Sequence, residues 1–172
     1  MCGIGGIVRI TPPGASHAPI PEAWLDALHA RIAHRGPDGR GTFRDTARRP
    51  DGSTAEVALV HARLSIIDLS GGAQPMVSPH GPGGAGLVGV VFNGCIYNHR
   101  SVRAELHRSG HTFVTDHSDT EVLVHGWRQW GDRISDHLDG MYGVGIWDHD
   151  KGECVVMRDR PGEKPVYYAV CE

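Results

Sequence analysis

Cys2-Gly3-Ile4-Gly5-Gly6-Ile7 stands directly behind the initiator methionine, so removal of one residue would put a thiol and a free α-amino group on the same carbon. A cysteine, with an unperturbed pKa of about 8.5, needs a base to become a thiolate at neutral pH. An α-amino group, with a pKa of roughly 7.7–8.0, titrates where such a base is useful. The same pairing underlies N-terminal threonine nucleophiles. A small thiol simply buried at the start of a strand is the alternative reading. The run is apolar, with glycines at close-approach positions, and predicts a strand over Gly3 to Ile10 that Thr11-Pro12-Pro13-Gly14 ends.

Downstream, strands and helices alternate with turn signals between them. Pro21 opens a helix whose apolar face is Trp24, Leu25, Leu28 and Ile32, and His34 to Gly39 is a turn-rich loop. A β-rich stretch runs from Glu56 to Ile67, a Gly/Pro loop from Ser70 to Gly86, and a strand from Leu87 to Phe92 that ends in a tight turn at Asn93-Gly94. Val102 and Leu106 mark a surface helix ending at Gly110. Ser118-Asp119-Thr120-Glu121 has the form of a capping box opening a helix through Val122, Leu123, Trp127 and Trp130. Met141 to Trp147 and Cys154 to Met157 read as a hairpin, and Val166 to Val170 as a last strand. Strand-rich segments separated by helices, without strict βαβ alternation, indicate an α+β layered fold.

At 172 residues the chain suits one domain with a real core, and its net charge of −3 is spread without any Lys/Arg stripe, which argues against nucleic acid or a membrane surface as partner. No apolar stretch approaches the roughly 20 residues of a membrane span, and the N-terminus lacks the charged region of a signal peptide, so a cytoplasmic protein is expected. Cys2, Cys95, Cys154 and Cys171 form no C-x-x-C pair and are expected as free thiols. His107 and His111 have the spacing of a helical metal pair, but Gly110 interrupts that helix and no H-E-x-x-H follows; no metal is expected.

Seven motifs then occur in one order along nearly the whole chain. They are the N-terminal Cys-Gly-Ile, His34-Arg35-Gly36-Pro37-Asp38, Ala62-Arg63-Leu64-Ser65-Ile66-Ile67-Asp68, Gln74-Pro75-Met76, Asn93-Gly94-Cys95-Ile96-Tyr97-Asn98-His99, Ser118-Asp119-Thr120-Glu121 and Arg158 to Pro165. Together they resemble the glutaminase (class II glutamine amidotransferase) domain of the asparagine synthetase family, rather than the related domains of glucosamine-phosphate synthase or amidophosphoribosyltransferase. The resemblance implies an N-terminal-nucleophile (Ntn) hydrolase fold, a four-layer αββα sandwich of two antiparallel sheets, with residues 1–172 as the glutaminase domain.

By the same resemblance, Cys2 attacks the side-chain amide of L-glutamine after Met1 is removed, its α-amino group moves the proton, ammonia leaves, and water cleaves the thioester. Asn93 and the Gly94 N–H form the oxyanion hole, where one donor is typically worth about 2.7–4 kcal/mol. Arg63 grips the substrate carboxylate, suited by its planar guanidinium, and Asp119 receives the ammonium. Asp119 is equally a favourable first-turn charge on a helix, Arg63 a strand-edge cation, and Asn93-Gly94 an ordinary turn. Arg35 and Asp38 fit either a site-shaping loop or a fold-holding salt bridge, and Arg158 to Pro165 reads as architecture.

Two departures from the family pattern carry weight. Cys95 stands where most members have a glutamate that accepts from the substrate amino group, removing a hydrogen bond to charge worth about 1.5–3 kcal/mol. The same variant is similar to the N-acetylglutaminylglutamine amidotransferase branch, which offers that dipeptide in place of aspartate as acceptor. Secondly, Ser70-Gly71-Gly72 is followed by Ala73-Gln74-Pro75, not by the aspartate of the family's pyrophosphate loop. The C-terminal synthetase domain, with its ATP and Mg, is therefore expected outside this chain as the partner that uses the ammonia. No cofactor is expected within it, and a homodimer of the full-length enzyme is among the partners implied. The competing class is a non-catalytic docking or glutamine-sensing module that keeps the fold.

Overall fold

The computed structural model describes residues 2–65 and 72–171. The expected strand end at Ile67, the Ile66-Ile67-Asp68 part of the third motif and the processing of Met1 lie outside the described residues. Strand β1 (Gly3–Thr11) is followed by helix α1 (Glu22–Ile32), β2 (Gly39–Arg48), β3 (Thr54–Arg63), the short β4 (Met76–Val77) and β5 (Val88–Ile96). Helices α2 (His99–Arg108) and α3 (Asp119–Trp130) precede the hairpin of β6 (Gly140–Asp148) and β7 (Glu153–Arg158). Two antiparallel sheets result, ordered β1-β3-β2 and β4-β5-β6-β7.

Period-two alternation in the central strands sorts the core into layers. On β3, Val57 and Leu59 face β5 and β6, packing with Val91 and Trp147, while Ala58 and Val60 face the opposite way against Leu25 of α1. On β5, Val88, Val90 and Phe92 turn from the first sheet toward Leu123, Val124 and Trp127 of α3. The order α1, sheet, sheet, α2–α3 is the four-layer αββα sandwich expected.

One contact ties the sheets by chemistry as well as by packing. Asp45 of β2 accepts from the indole N–H of Trp147 at 2.6 Å, and the same oxygen meets His149 Nδ1 at 2.6 Å. Trp147 is fully buried, so Asp45→Ala leaves its N–H without an acceptor and is expected to cost about 1–3 kcal/mol in urea denaturation. A loss under about 0.5 kcal/mol would show that water replaces the carboxylate.

The structure corrects several sequence expectations. β2 is a strand for which the sequence offers no expectation beyond the loop ending at Gly39, because its ten residues carry few apolar side chains; it lies at an edge of its sheet, and Phe43 and Ala47 supply its inward face. Asn93-Gly94 makes no turn: β5 continues through both to Ile96, held by pairing with β6 from Val88↔Asp148 to Ile96↔Gly140. Ser118 occupies the N-cap of α3 but makes no side-chain cap bond. Glu121, the other half of the expected box, instead accepts from the backbone N–H groups of Val114 and Thr115. Val166 to Val170 is not a strand; Tyr167, Tyr168 and Val170 are exposed. Trp24 lies half exposed beneath the Arg9 guanidinium, 5.3 Å from its ring, rather than in the apolar face of α1. No helix among the described residues is long and apolar enough to cross a membrane.

Candidate active site

The register Gly3↔Ala62 carries Cys2 to the end of β3, beside Arg63 and Leu64. The Leu64 N–H donates to the Cys2 sulfur at 3.4 Å, and the Leu64 carbonyl oxygen lies 3.6 Å from it. Arg35 Nε donates to the Cys2 carbonyl at 3.2 Å. Asp38 takes both sides of the neighbouring chain: its N–H donates to the Arg63 carbonyl at 2.9 Å, and its carboxylate accepts from the Ser65 N–H at 2.8 Å. Arg35 and Asp38 thus hold the backbone around Cys2 and Arg63.

The second half of the site is the edge of β5. In an antiparallel strand alternate N–H groups point to opposite neighbours. Val88 donates to Ser78 Oγ, Phe92 to Gln74 Oε1 at 2.6 Å and Ile96 to Asp119 Oδ2 at 3.2 Å, all on the side away from β6. Gly94 shares this parity, so its N–H points to the same side, between one N–H capped by a side-chain amide and one capped by a carboxylate, and meets no acceptor among the described residues. A side chain at 94 would run into the Met141 carbonyl of β6, and glycine permits that approach. Asn93 beside it is 8% exposed.

Asp119 opens α3 and is buried. Burial pushes its carboxyl above the ordinary value, and the hydrogen bond from Ile96 works against that rise. Cys95 is half-buried nearby; burial first, and then the charge of Asp119, raise its thiol, so it stays protonated at neutral pH. The two halves meet because β1 and β3 pack on β5. His61, on the face of β3 that also carries Arg63, lies against the Phe92 backbone one residue before Asn93. Burial, and then the charge of Arg63, lower its pKa to about 4, keeping the ring neutral.

All six residues expected from sequence are therefore at one end of the two sheets: Cys2 and Arg63 on one, Asn93, Gly94 and Cys95 on the other, Asp119 at the adjoining helix start. A groove of about 700 Å³ between β4 and α3, lined among others by Val77, Glu121 and His125, touches none of them. Among the described residues no group of three or more His, Cys, Asp or Glu side chains is placed to hold a metal ion. Sequence reasoning missed His61 and assigned no role to Gln74. The alternation of β3 placed His61 on Arg63's face; Gln74 had no local signal, since its partners are 18 and 46 residues away.

A family model described as a glutamine amidotransferase domain matches residues 1–172. The chain belongs to the glutamine amidotransferase domain family. This amidotransferase domain is 35% identical over 168 residues to asparagine synthetase [glutamine-hydrolyzing] 2 of Bacillus subtilis, covering 98% of this chain and 20% of that protein. It is also 35% identical over 179 residues to Amidase chry2 of Gibberella zeae, covering 99% and 24%. Among solved structures it resembles the glutamine phosphoribosylpyrophosphate amidotransferase of B. subtilis, with a TM-score of 0.57 and 21% identity over 90% of this chain and 37% of that one. That likeness is one of fold, and it is the Ntn-hydrolase fold. The amidotransferase domain thus spans about a fifth to a quarter of the length of these curated relatives.

Proposed function

We propose that this domain hydrolyses L-glutamine through an N-terminal cysteine thioester and passes the ammonia to an ATP-dependent domain that amidates a carboxylate. With Met1 removed, the Cys2 sulfur attacks the amide carbon and its own α-amino group takes and returns the proton. The C–N bond breaks as ammonia leaves, and water then attacks the thioester to release glutamate and the thiol. The developing oxyanion sits between the Asn93 amide and the Gly94 N–H, Arg63 takes the substrate carboxylate, and Asp119 its ammonium. The observation that most supports this reading is the Gly94 N–H, which meets no acceptor among the described residues, on an edge whose flanking N–H groups are both capped by side chains. An oxyanion needs such a donor, already aimed and free of a competing acceptor.

The acceptor we propose is a carboxylate of the aspartate kind, in keeping with the asparagine synthetase relatives. ATP and Mg would belong to the synthetase domain. The test is glutamate release from L-glutamine by protein whose mass shows that it begins at Cys2; silence from such protein, alone and in any longer form, would favour the docking module.

Because Cys95 is a neutral thiol, Asp119 is the carboxylate left to meet the substrate ammonium. Asp119→Asn keeps an acceptor for Ile96 and is expected to raise the glutamine KM about 10–100-fold. It is also expected to raise Tm at neutral pH. The fold raises the Asp119 pKa, so the protonated form is favoured in the folded state and stability is lost as pH rises through that pKa. Asparagine cannot ionise, so its advantage in Tm shrinks as pH falls below the folded pKa. An unchanged KM would remove Asp119 from the substrate site.

A further inference from the structure

We propose that Gln74 is a positioning residue that ends the β4–β5 ladder at Val90, before it reaches Gly94, and ties the oxyanion strand to the start of α3. The inference rests on the glutaminase reading above. The register Met76↔Val90 and Val77↔Gly89, continued, would bring residue 74 opposite Phe92 and residue 72 opposite Gly94. A backbone ladder running that far would place an acceptor on the Gly94 N–H and close it to substrate. The chain leaves the ladder first. The Gln74 carbonyl turns onto β2 at Gly41, where a side chain would collide with it, so the backbone of 74 is drawn to the other sheet.

The side chain of Gln74 then does what its backbone has given up. Its Oε1 accepts from the Phe92 N–H at 2.6 Å, and its Nε2 donates to Thr120 Oγ1 at 3.2 Å. Phe92 immediately precedes Asn93, and Thr120 immediately follows Asp119. A single primary amide therefore bridges the backbone of the oxyanion donors to the helix turn that carries the ammonium acceptor. Thr120 is 2% exposed, so this bond is shielded from water, which strengthens it. The two arms make separable predictions: the Phe92 arm sets the oxyanion edge and thus kcat, and the Thr120 arm sets the distance to Asp119 and thus KM.

The experiment is steady-state glutamate release by the full chain beginning at Cys2, with Gln74→Ala, Gln74→Glu, Thr120→Val and Cys2→Ala, alongside Tm and the rate of Cys2 alkylation by iodoacetamide read by peptide mass. Thr120→Val, which keeps the shape and removes one arm, is expected to raise KM about 5-fold with kcat within about 2-fold of wild type. Gln74→Ala is expected to raise KM similarly and to lower kcat about 10-fold or more. Gln74→Glu, whose carboxylate accepts from both Phe92 and the Thr120 hydroxyl, recovers kcat to within about 3-fold. Cys2 alkylation stays unchanged in the Gln74 and Thr120 variants, since Cys2 is anchored on the other sheet. Loss of activity in Gln74→Ala only in proportion to folded protein, or a Gln74→Glu no better than alanine, would overturn the proposal. Should Gln74→Ala fail to fold, Thr120→Val decides: a wild-type KM overturns the clamp. A silent Cys2→Ala with a wild-type Gln74→Ala removes the clamp alone, whereas a fully active Cys2→Ala removes the glutaminase reading and the clamp with it.

Discussion

Cys2→Ala is expected to reduce glutamate release by about 10⁴-fold or more while leaving the domain folded, because it removes the atom proposed to form the thioester and little else. Structurally the substitution is mild. Cys2 precedes β1 and is only half-buried, and its sulfur accepts a single backbone N–H, from Leu64 at 3.4 Å, so the stability loss should stay near 0.5–1.5 kcal/mol as an order-of-magnitude figure. Covalent trapping gives an independent readout. Acid quenching of wild type during turnover should leave a glutamyl adduct on the Cys2 peptide, and the alanine variant should show none. Release from Cys2→Ala at the wild-type rate would sink the N-terminal cysteine mechanism, whatever the fold.

The second large effect is expected at Gly94, where chemistry and packing coincide. Gly94→Ala puts a methyl group onto the Met141 carbonyl oxygen and against the Tyr142 backbone, in the middle of the β5–β6 pairing. Backbone atoms cannot yield as a flexible side chain would, so the strands must separate, at a cost of about 3 kcal/mol or more. For a domain of this size that corresponds to a fall in Tm of about 6–12 °C. The displaced N–H should also lower kcat about 10²–10³-fold, measured below the new melting range. A variant with wild-type Tm would show that β5 and β6 are further apart at Gly94 than this structure has them. A folded variant with wild-type kcat would take the Gly94 N–H out of the reaction.

Much of this architecture was legible in the chain because it is written in local periodicities. The β-rich run of β3, the amphipathic stretch around Val102 and Leu106, and the hairpin pattern of Met141 to Trp147 and Cys154 to Met157 each carry their signal within a few residues. The failures share a cause. The polar strand β2 exists because β3 offers it a ladder from Gly39↔Arg63 to Arg48↔Thr54, not because its own residues favour a strand. Asn93-Gly94, a turn dipeptide by local preference, is held extended by β6, and tertiary pairing outweighs the preference. Glu121 abandons the cap for Val114 and Thr115, which approach from the preceding loop.

By itself the sequence determined the family and the layered fold and nominated six residues for the candidate site, because a motif keeps its residue types together wherever the chain goes. What only the tertiary structure decided is how those residues face one another. Cys2 meets Leu64 across 62 positions and Gln74 reaches Thr120 across 46, contacts whose partners are chosen by strand register and sheet packing. The open N–H of Gly94 belongs to the same class: which side of a strand a donor faces follows from backbone alternation, but whether anything fills that side depends on where a neighbouring segment stops. A hydrogen-bond donor kept free is a property of its surroundings, and no local stretch of sequence encodes it.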